Sequence, residues 1–193
     1  MSEKLNLKTP VTYYGGKQRM CNVILQLVPS HRLYCEPFCG GAAIFFAKQP
    51  STLEVLNDTN RELMNFYQVV KNDFTSLEKE IKITLHSRDL YRKANVIYNN
   101  SDMFNDVQRA WALWVLASQC FDSKLDTSWG FDKSTNKTVK QIANSIESFT
   151  EELAIRLQNC SIECADACYI IHSRDTEESF FYCDPPYFNA NIS

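Results

Sequence analysis

Apolar residues along this chain change their period twice, and the changes divide it into three stretches. Near the start, Arg32-Leu33-Tyr34-Cys35-Glu36-Pro37 and Glu54-Val55-Leu56-Asn57 are short runs of strand-forming residues bounded by turn formers. They alternate with helical patterns from Lys17 to about Val28, from Ala42 to about Lys48, and from Thr59 to about Lys71. The last of these carries Leu63, Phe66, Tyr67 and Val70 on one face. From about Asp73 to Asn159 the alternation stops and helical periods take over, over 74–84, 88–99, 104–121 and one long helix over 139–158. The third helix has a stripe of Trp111, Trp114, Val115, Ser118 and Phe121. The fourth has Ile142, Ile146, Phe149, Leu153 and Leu157. Strand patterns return at Ser161–Ala165 and Phe180–Cys183, with a short helix between them. This order predicts an α/β fold: a doubly wound, Rossmann-like sheet built from 1–65 and 159–193. A helical insertion over 66–158 is expected to have a small core of its own.

Composition narrows this picture. At 193 residues, 45% hydrophobic and 22% charged, the chain suits one globular domain with an insertion. It holds no run of about 18 apolar residues, so no membrane partner is expected, and its N-terminus lacks a signal-peptide core, which predicts a cytoplasmic protein. The eight cysteines include no C-x-x-C pair. Reduced core thiols are expected, and no metal site. Over residues 1–144, 18 Lys/Arg stand against 14 Asp/Glu, and beyond that 2 stand against 9, so the first part is the one suited to a phosphate backbone. Within it, the polar stretch from Phe121 to Thr138, with Lys124, Lys133, Asn136, Lys137 and an exposed Trp129, is either a DNA-groove loop or a solvated connector.

The turns carry the candidate chemistry. Tyr13-Tyr14-Gly15-Gly16-Lys17 places a flexible turn before a helix, with two rings to cover an apolar ligand and a cation to meet a carboxylate or phosphate. Phe38-Cys39-Gly40-Gly41 follows the first strand, where a doubly wound sheet binds nucleotides. The dinucleotide fingerprint is missing, and a short turn preceded by Glu36 and Pro37 suits an adenosyl cofactor without a pyrophosphate. Asp58, at the end of the second strand, either holds ribose hydroxyls or favours the helix that a Thr59/Glu62 capping box would start. At the end of the last strand, Asp184-Pro185-Pro186-Tyr187 fixes a carboxylate and a ring on a rigid loop. Asp184 and a proline-stiffened carbonyl accept hydrogen bonds from an amino group, and Tyr187 stacks on a planar ring. A plain strand end with a solvated Asp is the alternative.

In combination, Tyr13-x-Gly15-Gly16-Lys17, Glu36-Pro37-Phe38-Cys39-Gly40-Gly41, Asn57-Asp58 and Asp184-Pro185-Pro186-Tyr187 resemble the Dam-like class of adenine-N6 DNA methyltransferases. The resemblance runs from about residue 9 to the end. It implies S-adenosylmethionine as cofactor, double-stranded DNA as partner, and 66–158 as the target-recognition domain. Tyr13, Lys17, Glu36, Phe38, Gly40, Asp58, Asp166 and Asp184 are implied as cofactor contacts, and Asp184, Pro185 and Tyr187 as the catalytic loop. Ala42 stands where the family often has a third glycine, and its methyl group is expected to crowd the cofactor slightly. The family continues past Tyr187 with further strands. The resemblance therefore also implies a sheet incomplete at its C-terminus, with missing strands supplied by a second chain, or a truncated, inactive remnant that binds DNA or cofactor.

Overall fold

The computed structural model describes residues 7–120, 125, 128–131 and 135–186. Its frame is a four-stranded, all-parallel sheet in the order β3-β2-β1-β4, with β1 Leu33–Glu36, β2 Leu53–Asn57, β3 Cys160–Glu163 and β4 Ser179–Phe181. The chain steps outward from β1 through β2 to β3, then returns to place β4 on the other side of β1. That reversal opens a crevice beyond the carboxyl ends of β1 and β4, where open α/β sheets bind ligands.

Helices α1 (Cys21–Leu27), α2 (Ala43–Ala47) and α3 (Arg61–Asn72) alternate with the first strands. Then α4 (Phe74–Lys82), α5 (Arg88–Asn99), α6 (Asp106–Gln119), α7 (Lys137–Glu147) and α8 (Glu151–Leu157) precede β3, and α9 (Ala167–Arg174) joins β3 to β4. All four strands and the helical middle fall where the apolar periods place them. Two details differ. The predicted 139–158 helix is two helices, broken at Ser148-Phe149-Thr150: α7 ends at Glu147, and buried Phe149 stacks on Phe74 5.2 Å away. The cap of α3 is Asn60, whose side chain accepts from the Glu62 and Leu63 amides, rather than a Thr59/Glu62 box.

Among the described residues the helical middle has no separate core. One continuous cluster of buried side chains runs from Tyr34 and Phe45, through Phe66 on α3 and Trp114 on α6, to Leu153 on α8. Trp111 and Trp114 are buried in it, as their stripe predicts. A buried ionic clamp strengthens the join: Arg156 on α8 pairs with Glu54 on β2 and donates to the Phe45 carbonyl (2.9 Å), while Lys48 meets Glu54 at 2.6 Å. The thiols divide. Cys21, Cys35, Cys39 and Cys160 are core residues as expected, whereas Cys164 and Cys183 are exposed just past β3 and β4, and Cys168 is exposed in the first turn of α9, whose buried residues are Ala167 and Ile170.

Candidate functional site

The crevice at the switch point is a cavity of about 840 Å³, in the upper part of the range for small-molecule sites. Its floor is the turn after β1. The Cys39 amide donates to the Asn57 carbonyl (2.9 Å), fixing the turn to β2, and the Tyr67 hydroxyl donates to the Gly40 carbonyl (2.7 Å). Gly40 has φ +46°, and a Cβ there would lie 3.2 Å from the Tyr13 ring, so the glycine is required twice over. Ala42 follows with φ +50° and ψ +39° immediately before α2. It lines the cavity, as crowding of a ligand requires, but its larger consequence is a left-handed alanine that costs roughly 1–2 kcal/mol.

Two carboxylates support this turn. Glu36 is wholly buried; its Oε1 accepts from the Tyr34 hydroxyl (2.7 Å) and the Phe45 amide (2.8 Å). Burial pushes its carboxyl up to about 7, because those hydrogen bonds and the more distant Lys48 and Arg156 offset desolvation only in part. Asp58 accepts from the Gly40 amide through Oδ2 (3.1 Å) and from the Asn60 amide through Oδ1 (3.0 Å), so it ties the glycine turn to the start of α3 while facing the cavity.

The wall is the N-terminal loop. Tyr13 packs on Gly40 and its hydroxyl accepts from Asn60 Nδ2 (3.1 Å); burial pushes the phenol up to about 12. Asn60 Nδ2 also donates to the Tyr98 hydroxyl of α5 (3.2 Å), bringing the helical middle to the cavity edge. Tyr14 is half exposed at the rim, and Gly15 turns with φ +76°. The Lys17 ammonium donates to the Gly15 carbonyl (2.8 Å) and pairs with Asp184, joining the first loop to the last.

The final strand hands its chain to this wall. The Tyr182 amide donates to the Cys35 carbonyl (2.9 Å), so β1 still guides the backbone one residue past β4, and Asp184, Pro185 and Pro186 then line the cavity. The structure thus brings Tyr13, Lys17, Glu36, Phe38, Gly40, Asp58, Asp184 and Pro185 around one space. Asp166 is not among them. It is exposed, and its side chain caps α9 by accepting from the Tyr169 amide (3.1 Å). Tyr187 lies outside the described residues.

Sequence reasoning missed Asn60, Tyr98 and Tyr182 as cavity residues, and with them Asn144 and Ser145 of α7 and Ser148 just after it. Tyr182 had a usable signal, since it precedes Asp184 on a strand end; the α7 residues had none, because their reach depends on helix packing. Among the described residues no cluster of His, Cys, Asp or Glu has the form of a metal site, and no helix is long and apolar enough to cross a membrane.

A glycine turn after β1, an acid after β2 and an Asp-Pro-Pro loop after β4, all on one cavity, agree with comparison to known proteins. Residues 13–192 match the D12 class N6 adenine-specific DNA methyltransferase family. The chain belongs to that family. It is 26% identical over 199 residues to the type II methyltransferase M1.LlaDCHI of Lactococcus lactis subsp. cremoris, covering 95% of this chain and 67% of the relative. It is also 26% identical to the type II methyltransferase M.MjaIII of Methanocaldococcus jannaschii, covering 97% and 71%. A DNA N-6-adenine-methyltransferase of Escherichia phage P1 is 27% identical over 90% of this chain, which spans 23% of that protein. Membership makes the chain a DNA adenine-N6 methyltransferase by class, and none of these comparisons supports the inactive-remnant alternative.

Proposed function

We propose that this chain methylates N6 of an adenine extruded from duplex DNA, using S-adenosylmethionine held in the 840 Å³ cavity. The observation that carries the reading is the position of Asp184: a carboxylate on a proline-stiffened loop, facing the same cavity as the glycine turn and paired with Lys17. The cavity's lining fits the cofactor. The Gly40-Gly41 turn lets the Tyr13 loop pack against it as the cavity wall, the Tyr13 ring and Phe38 offer apolar surface, and Asp58 and Asn60 offer polar atoms suited to hydroxyl groups. When bound, S-adenosylmethionine supplies an electrophilic methyl group on a sulfonium.

The chain's own residues act on the acceptor. Adenine N6 is a weak nucleophile because its lone pair is delocalised into the ring. Hydrogen bonds from the amino group to the Asp184 carboxylate and the Pro185 carbonyl draw that nitrogen toward tetrahedral geometry and stabilise the positive charge it develops. The cofactor held by this lining would supply the methyl group and leave as a neutral thioether, and the proton that N6 must then lose would pass toward the Asp184 carboxylate. Lys17 fixes the orientation of that carboxylate before substrate arrives. Tyr187 supplies a face for the extruded base, replacing about 1–3 kcal/mol of lost stacking. The helical middle, 66–158, serves as the target-recognition region.

Incorporation of labelled methyl groups from S-adenosylmethionine into unmethylated duplex DNA tests this. Transfer to adenine is expected from the parent chain and a loss of at least about 10²-fold from Asp184→Ala, with cofactor affinity within a few-fold. An Asp184→Ala variant that keeps parental turnover would overturn the assignment.

A further inference from the structure

The end of α6 builds a second feature, apart from the cavity. Gln119 is fully buried and joins two loops: its Oε1 accepts from Trp129 Nε1 (3.2 Å) and the Ser87 amide (3.3 Å), its Nε2 donates to the Leu85 carbonyl (3.0 Å), and its backbone carbonyl accepts from the Gly130 amide (2.7 Å). His86 Nε2 donates to the Gly130 carbonyl (3.0 Å), and an antiparallel bridge pairs Cys120 with Trp129. The Trp129 ring is therefore half-buried and fastened, where the sequence predicts an exposed one. It forms the middle of a column, with His86 stacked on it at 4.5 Å and 21°, and Phe131 at 5.7 Å and 18°. The Arg88 guanidinium lies 5.0 Å from the Trp129 centroid and is paired with no carboxylate among the described residues.

The column ends in water. Phe131 is 62% exposed, and Leu85, beside His86 in the chain, is 69% exposed. Trp129 packs against the core, whereas Phe131 at the open end of the stack is mostly exposed, and the Arg88 guanidinium beside the stack supplies a positive charge suited to an anionic partner. Residues 74–99, which include one of the two loops, carry five Lys/Arg against three Asp/Glu. Aromatic faces with an adjoining cation are suited to nucleobases flanked by phosphates.

We propose that Phe131, with Arg88, forms a stacking ledge that docks against bases of the DNA substrate. The inference rests on the DNA-methylating reading above and assigns Phe131 to substrate binding rather than to chemistry. Because Gln119 holds both loops, the ledge is in place before DNA arrives, so little ordering cost falls on binding.

The test is steady-state methyl transfer to plasmid DNA free of adenine methylation, with KM for DNA and for S-adenosylmethionine measured separately. Phe131→Ala is expected to raise KM for DNA at least about fivefold, with cofactor KM and melting temperature unchanged, and Phe131→Tyr to restore most of the loss. Arg88→Gln, which leaves the ring stack, is expected to make the salt dependence of DNA binding shallower by about one unit of log–log slope. A DNA KM within twofold of the parent in Phe131→Ala overturns the ledge. So does a change only in sedimentation, which would mark the surface as a contact between copies of this chain. A parent chain that neither binds nor methylates DNA overturns the proposed function, and the ledge with it. A parent that does both, beside a silent Phe131→Ala, overturns the ledge alone.

Discussion

Two glutamates stand on neighbouring strands of one sheet, both removed from water, and their surroundings push them in opposite directions. Glu54 on β2 meets Arg156 and Lys48. Burial raises its carboxyl, but the hydrogen bonds and charges of those two cations outweigh burial and hold it below the ordinary range. Glu36 on β1 receives only neutral donors, the Tyr34 hydroxyl and the Phe45 amide, and burial carries it up to about 7. The difference teaches what each acid is for. Glu54 is a clamp between β2 and α8 and is not among the residues that line the cavity. Glu36 holds the glycine turn at the cavity floor, and its location beside the ligand space is where perturbed carboxyls concentrate.

The largest effect is expected from breaking the clamp. Arg156→Met leaves Glu54 buried beside Lys48 alone, and denaturant unfolding at neutral pH should show a loss of about 3–5 kcal/mol. Adding Glu54→Leu to that variant should recover part of the loss; a single variant costing under about 1 kcal/mol would mean the pair is not needed to offset its own burial.

The other glutamate gives a smaller, pH-dependent effect with the opposite sign. Because its folded carboxyl titrates near 7 and its unfolded one near 4.5, the native state binds more protons between those values. Stability should therefore fall as pH rises from about 4.5 through 7, by on the order of 3 kcal/mol, and level off above. Glu36→Gln keeps an oxygen for the Phe45 amide and removes the titration, so its unfolding free energy should be flat across that window. Glu54 does not blur the comparison, since its stabilising contribution is lost only on acidification below about 4.5. Matching slopes for parent and variant would show that Glu36 is ionised in the fold at all these pH values.

Smallest is the effect of the strained alanine. Ala42→Gly should raise stability by roughly 1 kcal/mol, measured by thermal or denaturant melting, because glycine adopts φ +50° without a Cβ penalty. A loss instead would show that the methyl group's packing outweighs the backbone strain.

These contrasts also explain what was legible in the sequence. All four strands could be located because each is a short run of strand-forming residues closed by a turn former, and the glycine turn and the Asp-Pro-Pro turn follow two of them, β1 and β4. Tyr13, Lys17, Asp58 and Asp184, which line one cavity, could be grouped because the turn motifs that carry them resemble, in combination, those of one family. Asp166 was drawn into the same group by its place after β3, yet β3 is the sheet's outer strand, and its end lies away from the switch point. The Glu54–Arg156 pair was invisible, since nothing in a helical period says which strand a helix will cover. The break at Phe149 was equally hidden: its apolar position fits the helical period, and only its packing on Phe74 shows the chain turning there.

The bond between Lys17 and Asp184 bears on when the enzyme comes into being. Its partners stand 167 residues apart, so no local folding step can make it. A ribosome adding about 5–20 residues per second needs roughly 10–30 s to travel that distance. Throughout that interval the first loop waits, its lysine facing water, while the sheet and helices that will present the aspartate are still being made. The pair thus forms only after every element between its two partners has been made, and a chain interrupted before its fourth strand has the lysine of the first loop without the aspartate that meets it.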